Sequence, residues 1–226
     1  MKITRVEATW LQVPIPQDKQ HVSDFGRATT FDTALIRIDT DAGISGIGEA
    51  KVSAGSPGDY HGVVAIINRE FGPALLGQDP RNINLIWENL YSGTRGHYAV
   101  ARGHVFPAMS RRGASISAIS GIDIALWDIL GKSLNAPVWQ LLGGRKAERM
   151  PAYASGGWAD AENIGAQLKS YIDQGGFKAV KMRIGVFDGS PAASAQRVIA
   201  ARSALGSDID LMADAHIPAQ LPDDAG

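Results

Sequence analysis

The sequence predicts an α+β domain followed by parallel βα units, and three observations carry that expectation. A period-two apolar pattern with a glycine turn opens the chain. A helical period then takes over and runs to about Leu134. Beyond Gly143-Gly144 the rhythm alternates strand, helix, strand, helix, strand, the pattern of parallel βαβ units.

Taken in order, Ile3, Val6, Trp10, Leu11 and Val13 lie among polar residues from Lys2 to Val13, a strand closed by Pro14 and Pro16. Thr33–Thr40 and Ile44–Ala50 flank Asp41-Ala42-Gly43, where glycine supplies the positive φ of a hairpin, so the opening is a three-stranded antiparallel meander. The polar stretch Gln17–Thr30 and the Gly/Ser/Pro stretch Val52–Gly62 read as mobile surface loops. Val63, Val64, Ile66, Ile67 and Phe71 share one helical face, and Ile83, Ile86, Trp87, Leu90 and Tyr91 share the next. Ser92–Gly113 carries four arginines, two histidines and four glycines without a period, and reads as a long loop or insertion. Ala114–Leu134 is apolar around so much of its circumference that it must be largely buried, and it stops at Asn135-Ala136-Pro137. Strands are expected at Met150–Ser155, Ala179–Ile184 and Ile209–Ala213, with helices at Ala161–Gln174 and Ala192–Leu205, each closed by glycine.

Composition narrows the classes of function. At 226 residues, 45% hydrophobic and 20% charged, the chain is an ordinary globular one able to bury a real core. Its net charge of -1, from 22 basic and 23 acidic residues, leaves no field to draw nucleic acid or an anionic membrane. The absence of cysteine excludes disulfides and thiolate metal sites and fits a reducing compartment. The first residues have neither a signal peptide nor a membrane span, so a cytoplasmic location is expected.

Three segments resemble one family. The run from Ala118 to Lys132, then Pro137-Val138 and Leu141-Leu142-Gly143-Gly144, is similar to the signature of the mandelate racemase and muconate lactonizing family of the enolase superfamily, with small residues at Ala118, Ser120, Gly121 and Ala125 and acids at Asp123 and Asp128. Val180-Lys181-Met182-Arg183-Ile184-Gly185 resembles the family's Lys-x-Lys strand. Leu211-Met212-Ala213-Asp214-Ala215-His216 resembles the strand that supplies its first metal ligand, usually Asp-Ala-Asn. The likeness covers Met1 to about His216.

That resemblance implies a capping domain over residues 1–135, then an incomplete (β/α) TIM-type barrel over 136–226, since the residues from Met150 to Gly226 suffice for only three of eight strands. It implies Mg²⁺-assisted abstraction of the proton α to a carboxylate, with Asp214 as a metal ligand and Lys181 and Arg183 as catalytic residues. Arginine at 183 departs from the lysine-base pattern. A guanidinium is a poor base, suited instead to holding a carboxylate or developing charge, which directs the expectation to a sugar-acid dehydratase whose histidine base lies on a later strand. A racemase or cycloisomerase of the same family is the alternative, and a non-catalytic fragment or interaction module is the reading from another class. His216 replaces the usual asparagine and is a substrate-binding candidate, as are His21, Arg27 and Tyr60 on the two capping loops, with Asp24 and Lys51 beside them. The family also implies a homo-oligomer. Arg95, His97, Arg102, His104, Arg111 and Arg112 make the insertion basic, open to an acidic substrate or a subunit contact. Trp10, Trp87, Trp127 and Trp139 read as packing residues.

Overall fold

A computed structural model describes residues 1–20, 22–23, 26–52, 59–100, 111–185 and 188–216, with the side chains at 22, 23, 26, 94–100 and 216 outside that description. The chain divides into two compact units, Met1–His21 with Arg27–Lys146, and Val22–Gly26 with Ala147–Gly226.

The first unit is built on an antiparallel sheet in the order β1 (Ile3–Pro14), β4 (Thr30–Thr40), β5 (Ser45–Ala50). Alternation along β4 puts Ala34, Ile36 and Ile38 on the buried face, opposite Trp10, Ala8 and Val6 of β1. The hairpin closes at Gly43, whose φ of 74° is open to glycine and strained for other residues. Where a loop was expected from Gln17 to Thr30, the chain makes a 3₁₀ turn at Gln17–Lys19 and pairs β2 (Val22–Ser23) with β3 (Gly26–Arg27), elements too short to leave a period in the sequence.

Helix α1 (His61–Ile66), a π-helical segment (Ile67–Phe71) and α2 (Gly72–Leu75) follow without a break, and bury Val63, Ile67, Phe71 and Leu75 at every fourth position. The widened segment carries Asn68, whose side chain accepts the Ala8 N–H at 2.7 Å and donates to the Ala8 carbonyl at 2.9 Å, meeting β1 as a neighbouring strand would. Gly77 and Gln78 do the same for Ile3 with their backbones.

Helix α3 (Ile83–Val100) corrects the loop reading for Ser92–Val100, residues 101–110 lying outside the described ones: the helix runs on past Gly93, where φ of 63° and ψ of -179° kink it. The apolar period stops at that kink, which hid the continuation. Arg111, one of the basic residues of that segment, pairs its guanidinium with Glu70 and lies 4.8 Å from the Phe71 ring centre.

Helix α4 (Ala114–Ser133) carries the small residues of the signature, and the structure shows their use. A Cβ on Gly48 would fall on the Gly121 carbonyl oxygen, one on Gly46 on that of Ala125, and one on Gly121 would sit 2.5 Å from Ile36 Cδ1. Backbone meets backbone, and only glycine fits. Asp128 accepts the Ile47 N–H at 2.9 Å, and Lys132 donates to both Asp128 at 2.7 Å and the Ser45 carbonyl at 2.8 Å, so the helix satisfies outward-facing polar groups of β5. By length and composition α4 is apolar enough to cross a membrane, but Ala118, Ile119, Ile122, Ala125, Leu126 and Ile129 are spent in the core. Helix α5 (Val138–Leu141) ends the unit. Trp10 and Trp127 pack on this core, whereas Trp87, stacked on Tyr91 at 4.7 Å, and Trp139, under Arg145 at 4.5 Å, are both 38% exposed and lie at the surface.

The second unit is a parallel sheet in the order β6 (Ala154–Gly156), β7 (Ala179–Gly185), β8 (Asp210–His216), covered by α6 (Ile164–Gly175) and α7 (Pro191–Leu205). Both helices have the boundaries their residues dictate. Gly176 takes the left-handed conformation after α6, and Ser190 caps α7 through the Ala193 N–H ahead of Pro191. Ile164, Leu168, Val180, Met182 and Ala201 form the core. β6 is shorter than the expected Met150–Ser155: Pro151 has no N–H for a ladder, and Met150 and Tyr153 are exposed.

Candidate active site

In the second unit Lys181 and Asp214 stand on adjacent parallel strands, where β7 and β8 run in register from Ala179↔Asp210 to Gly185↔His216. Lys181 Nζ donates to Asp214 Oδ2 at 2.9 Å and lies 5.8 Å from the Tyr153 ring centre. The pair is part-open to solvent, with side-chain exposures of 27% and 42%. The hydrogen bond to Asp214 pushes the Lys181 ammonium above its ordinary range, and burial opposes it.

Arg183 sits differently. It is 5% exposed, its guanidinium 5.2 Å from the Trp158 ring centre and 3.8 Å from Asp188. Asp188 is the hub of a buried cluster that sequence reasoning missed. One carboxylate oxygen accepts Arg197 Nη1 at 2.7 Å, and the other accepts the Gly185 N–H at 2.9 Å and the Ser194 hydroxyl at 2.6 Å. Arg197 also donates to three carbonyls, those of Gly157, Ala159 and Arg183, each at 2.8 Å. The signal was present: Arg197 interrupts the alanine stripe Ala193, Ala201 at four-residue spacing, and an arginine on a buried stripe needs partners.

Burial acts to raise the Asp188 carboxyl, but the bonds from Ser194 and Gly185 and the charge of Arg197 outweigh it and hold the group below 3.8. A carboxyl depressed on folding gives stability that is complete above its unfolded value and is lost as pH falls through the folded one. The second unit is thus expected to loosen in acid below about pH 4. Asp188→Asn should remove that pH dependence, read by circular dichroism melts between pH 6 and 2.

The other candidates are spread out. Arg27 is exposed on β3. Lys51 reaches the Asp32 backbone carbonyl at 2.8 Å. Tyr60 corrects the loop expectation: it is wholly buried in the first unit's core, its ring 6.0 Å from Trp10, because it heads α1 and its bulk is apolar. Asp32, which was not singled out, is 1% exposed and gathers Trp10 Nε1 at 2.8 Å, Gln12 Nε2 at 2.9 Å and the Thr30 hydroxyl at 2.5 Å. His21, Asp24, Arg102 and His104, and the side chains of Arg95, His97 and His216, lie outside the described residues.

For a divalent cation, Asp214 offers a hard oxygen donor part-open to solvent, the type Mg²⁺ takes. Among the described residues no cluster of three or more His, Asp or Glu side chains adds to it. The donor chemistry of Asp214 fits such a cation, and among the described residues it stands as a single candidate donor.

Comparison with known proteins places these features. The model of the mandelate racemase / muconate lactonizing enzyme N-terminal domain matches residues 5–143, and that of an enolase C-terminal domain-like region matches 163–225. The chain is 33% identical over 219 residues to a 3,6-anhydro-alpha-L-galactonate cycloisomerase of Streptomyces coelicolor, covering 95% of this chain and 55% of that protein. It is 39% identical over 191 residues to a D-galactonate dehydratase of Cronobacter sakazakii, covering 80% and 44%. Among solved structures it resembles a dipeptide epimerase from Enterococcus faecalis complexed with Mg and the dipeptide L-Leu-L-Tyr, at TM-score 0.68 and 26% identity over 96% of this chain and 54% of that one. The chain thus spans about half the length of the relatives it matches.

Proposed function

Because this chain belongs to the mandelate racemase / muconate lactonizing enzyme family of the enolase superfamily, we propose that it carries the capping domain and opening barrel strands of a Mg²⁺-dependent lyase. The lyase removes the proton α to a carboxylate and acts as a sugar-acid dehydratase. The observation that carries this reading is the Lys181–Asp214 pair, an ammonium and a carboxylate side by side on adjacent parallel strands and open to solvent. The likeness to a D-galactonate dehydratase supports the substrate class.

Asp214 is the described residue that would hold the metal, which when bound offsets the negative charge that builds as the α-proton leaves. Lys181, whose Nζ lies 2.9 Å from the Asp214 carboxylate, binds and steadies an oxygen of the substrate carboxylate. Arg183, sunk against Trp158 and Asp188, acts on the strand rather than on the substrate. His216, His21 and Arg27 are proposed substrate contacts, and Tyr60 a core residue. We place the protein in the cytoplasm, as a homo-oligomer. The likeness to a cycloisomerase over 95% of the chain favours, as second reading, an isomerase on the same α-proton chemistry.

The test is calorimetric titration of Mg²⁺, then of D-galactonate, into the purified chain, with circular dichroism to confirm folding. Mg²⁺ binding that is lost in Asp214→Ala, and D-galactonate binding to the Mg²⁺-loaded chain that is weakened in Lys181→Ala, are expected. A folded chain that binds neither, or binds both equally well in the two variants, would sink the reading.

A further inference from the structure

The guanidinium of Arg197 is a feature that the chemistry above does not use. It is buried on α7, yet none of its partners belongs to α7. It bonds the Gly157 carbonyl just past β6, the Ala159 carbonyl in the turn that follows, and the Arg183 carbonyl within β7, all at 2.8 Å, and the Asp188 carboxylate beyond β7 at 2.7 Å. Asp188 in turn takes the N–H of Gly185, the last residue of β7. One planar fork therefore ties the ends of two strands, and its directions are fixed by its own geometry, which a lysine cannot reproduce. The strand so held, β7, is the one that carries Lys181, and its Arg183 and Gly185 pair across with Asp214 and His216 of β8. A shift of β7 by a fraction of an ångström moves Lys181 against Asp214.

From this geometry we infer that Arg197, with Asp188, is a positioning residue that sets the ends of β6 and β7 and so the Lys181–Asp214 pair, with Arg183 locked into the same clamp rather than facing substrate. It touches no reacting atom. Where the inference speaks of ligand binding it rests on the proposed lyase function; where it speaks of strand geometry it does not.

The experiment is amide hydrogen exchange on the whole chain for Arg197→Ala and Arg197→Lys, with Leu168→Ala as a variant that weakens the same unit's core without removing any bond of the clamp. Exchange at Arg183, Ile184, Gly185 and Asp214 is expected to rise at least 10-fold in Arg197→Ala, with Ile36 and Ile38 unchanged. Guanidinium at tens of millimolar should restore Arg197→Ala to within about threefold of wild type and leave Leu168→Ala unrestored. If Arg197→Ala does not fold, Arg197→Lys decides: the same amides should exchange faster while Val180 and Leu168 stay protected. Wild-type protection in Arg197→Lys, or rescue of Leu168→Ala by guanidinium, would overturn the clamp. In the titrations Arg197→Lys should weaken D-galactonate binding to the Mg²⁺-loaded chain at least 10-fold, and wild-type affinity would overturn the positioning role. If wild type binds neither Mg²⁺ nor D-galactonate, the function proposal fails while the exchange result still decides the clamp.

Discussion

Gly48→Val is expected to destabilise the first unit by about 3 kcal/mol or more, at the upper end of what overpacking costs, because the new side chain meets backbone rather than a yielding side chain. Ordinary overpacking is relieved by rotamer changes nearby. Here the obstacle is the Gly121 carbonyl, part of the α4 ladder, and relief means lifting the helix from β5. Lifting it also strains the bonds from Ile47 to Asp128 and from Lys132 to Ser45. A melting temperature lower by roughly 10 °C, followed by circular dichroism, is the expected reading. Gly62→Ala is the control: nothing lies within 4 Å of its added Cβ, and on α1 alanine is the better helix former. Equal losses in both variants would mean that close helix–strand packing is not what the small residues provide.

Arg197→Met should cost the second unit about 3–5 kcal/mol, the loss typical when one member of a buried ion pair is removed and the other is stranded. Asp188 is 3% exposed at its side chain and Arg197 7%, so water cannot replace the missing partner. The double variant Asp188→Leu with Arg197→Met should be less damaged than the sum of its parts, since both single variants break the same Arg197–Asp188 bond, while Arg183 loses the Asp188 carboxylate in either variant that removes it. Urea unfolding of the three variants checks this. Additive losses would mean that the two side chains do not act as a pair.

How much of this was legible from the residues follows from what each pattern encodes. The meander was readable because β4 alternates strictly, and the βα units because Gly176, Ser190-Pro191 and Gly206 punctuate them. The signature on α4 was readable as a family likeness, but its reason was not: that Gly121 meets Gly48, and Ala125 meets Gly46, is a relation between segments some 75 residues apart. The continuation of α3 was hidden because Gly93 breaks the period where the helix bends. At the candidate site Lys181, Arg183 and Asp214 were singled out by the resemblance of their strand ends to the family's segments, and the structure sets Lys181 against Asp214. The burial of Arg183 depends on Trp158 and Asp188, which no period in β7 announces. Tyr60 misled because a tyrosine next to a glycine-rich stretch looks like loop, while its depth is set by Trp10 on a distant strand.

Asn68 has a consequence for self-association. Its amide answers both polar groups of Ala8, the Gly77-Gln78 backbone answers Ile3, and on the opposite side Asp128 and Lys132 answer Ile47 and Ser45. The two outer strands of this sheet are thus already read by the protein's own helices at those points, and an incoming strand would first have to displace them. Strand addition at either edge is thereby disfavoured, while Val13 and Phe31, paired across β1 and β4, stay exposed on the outward face.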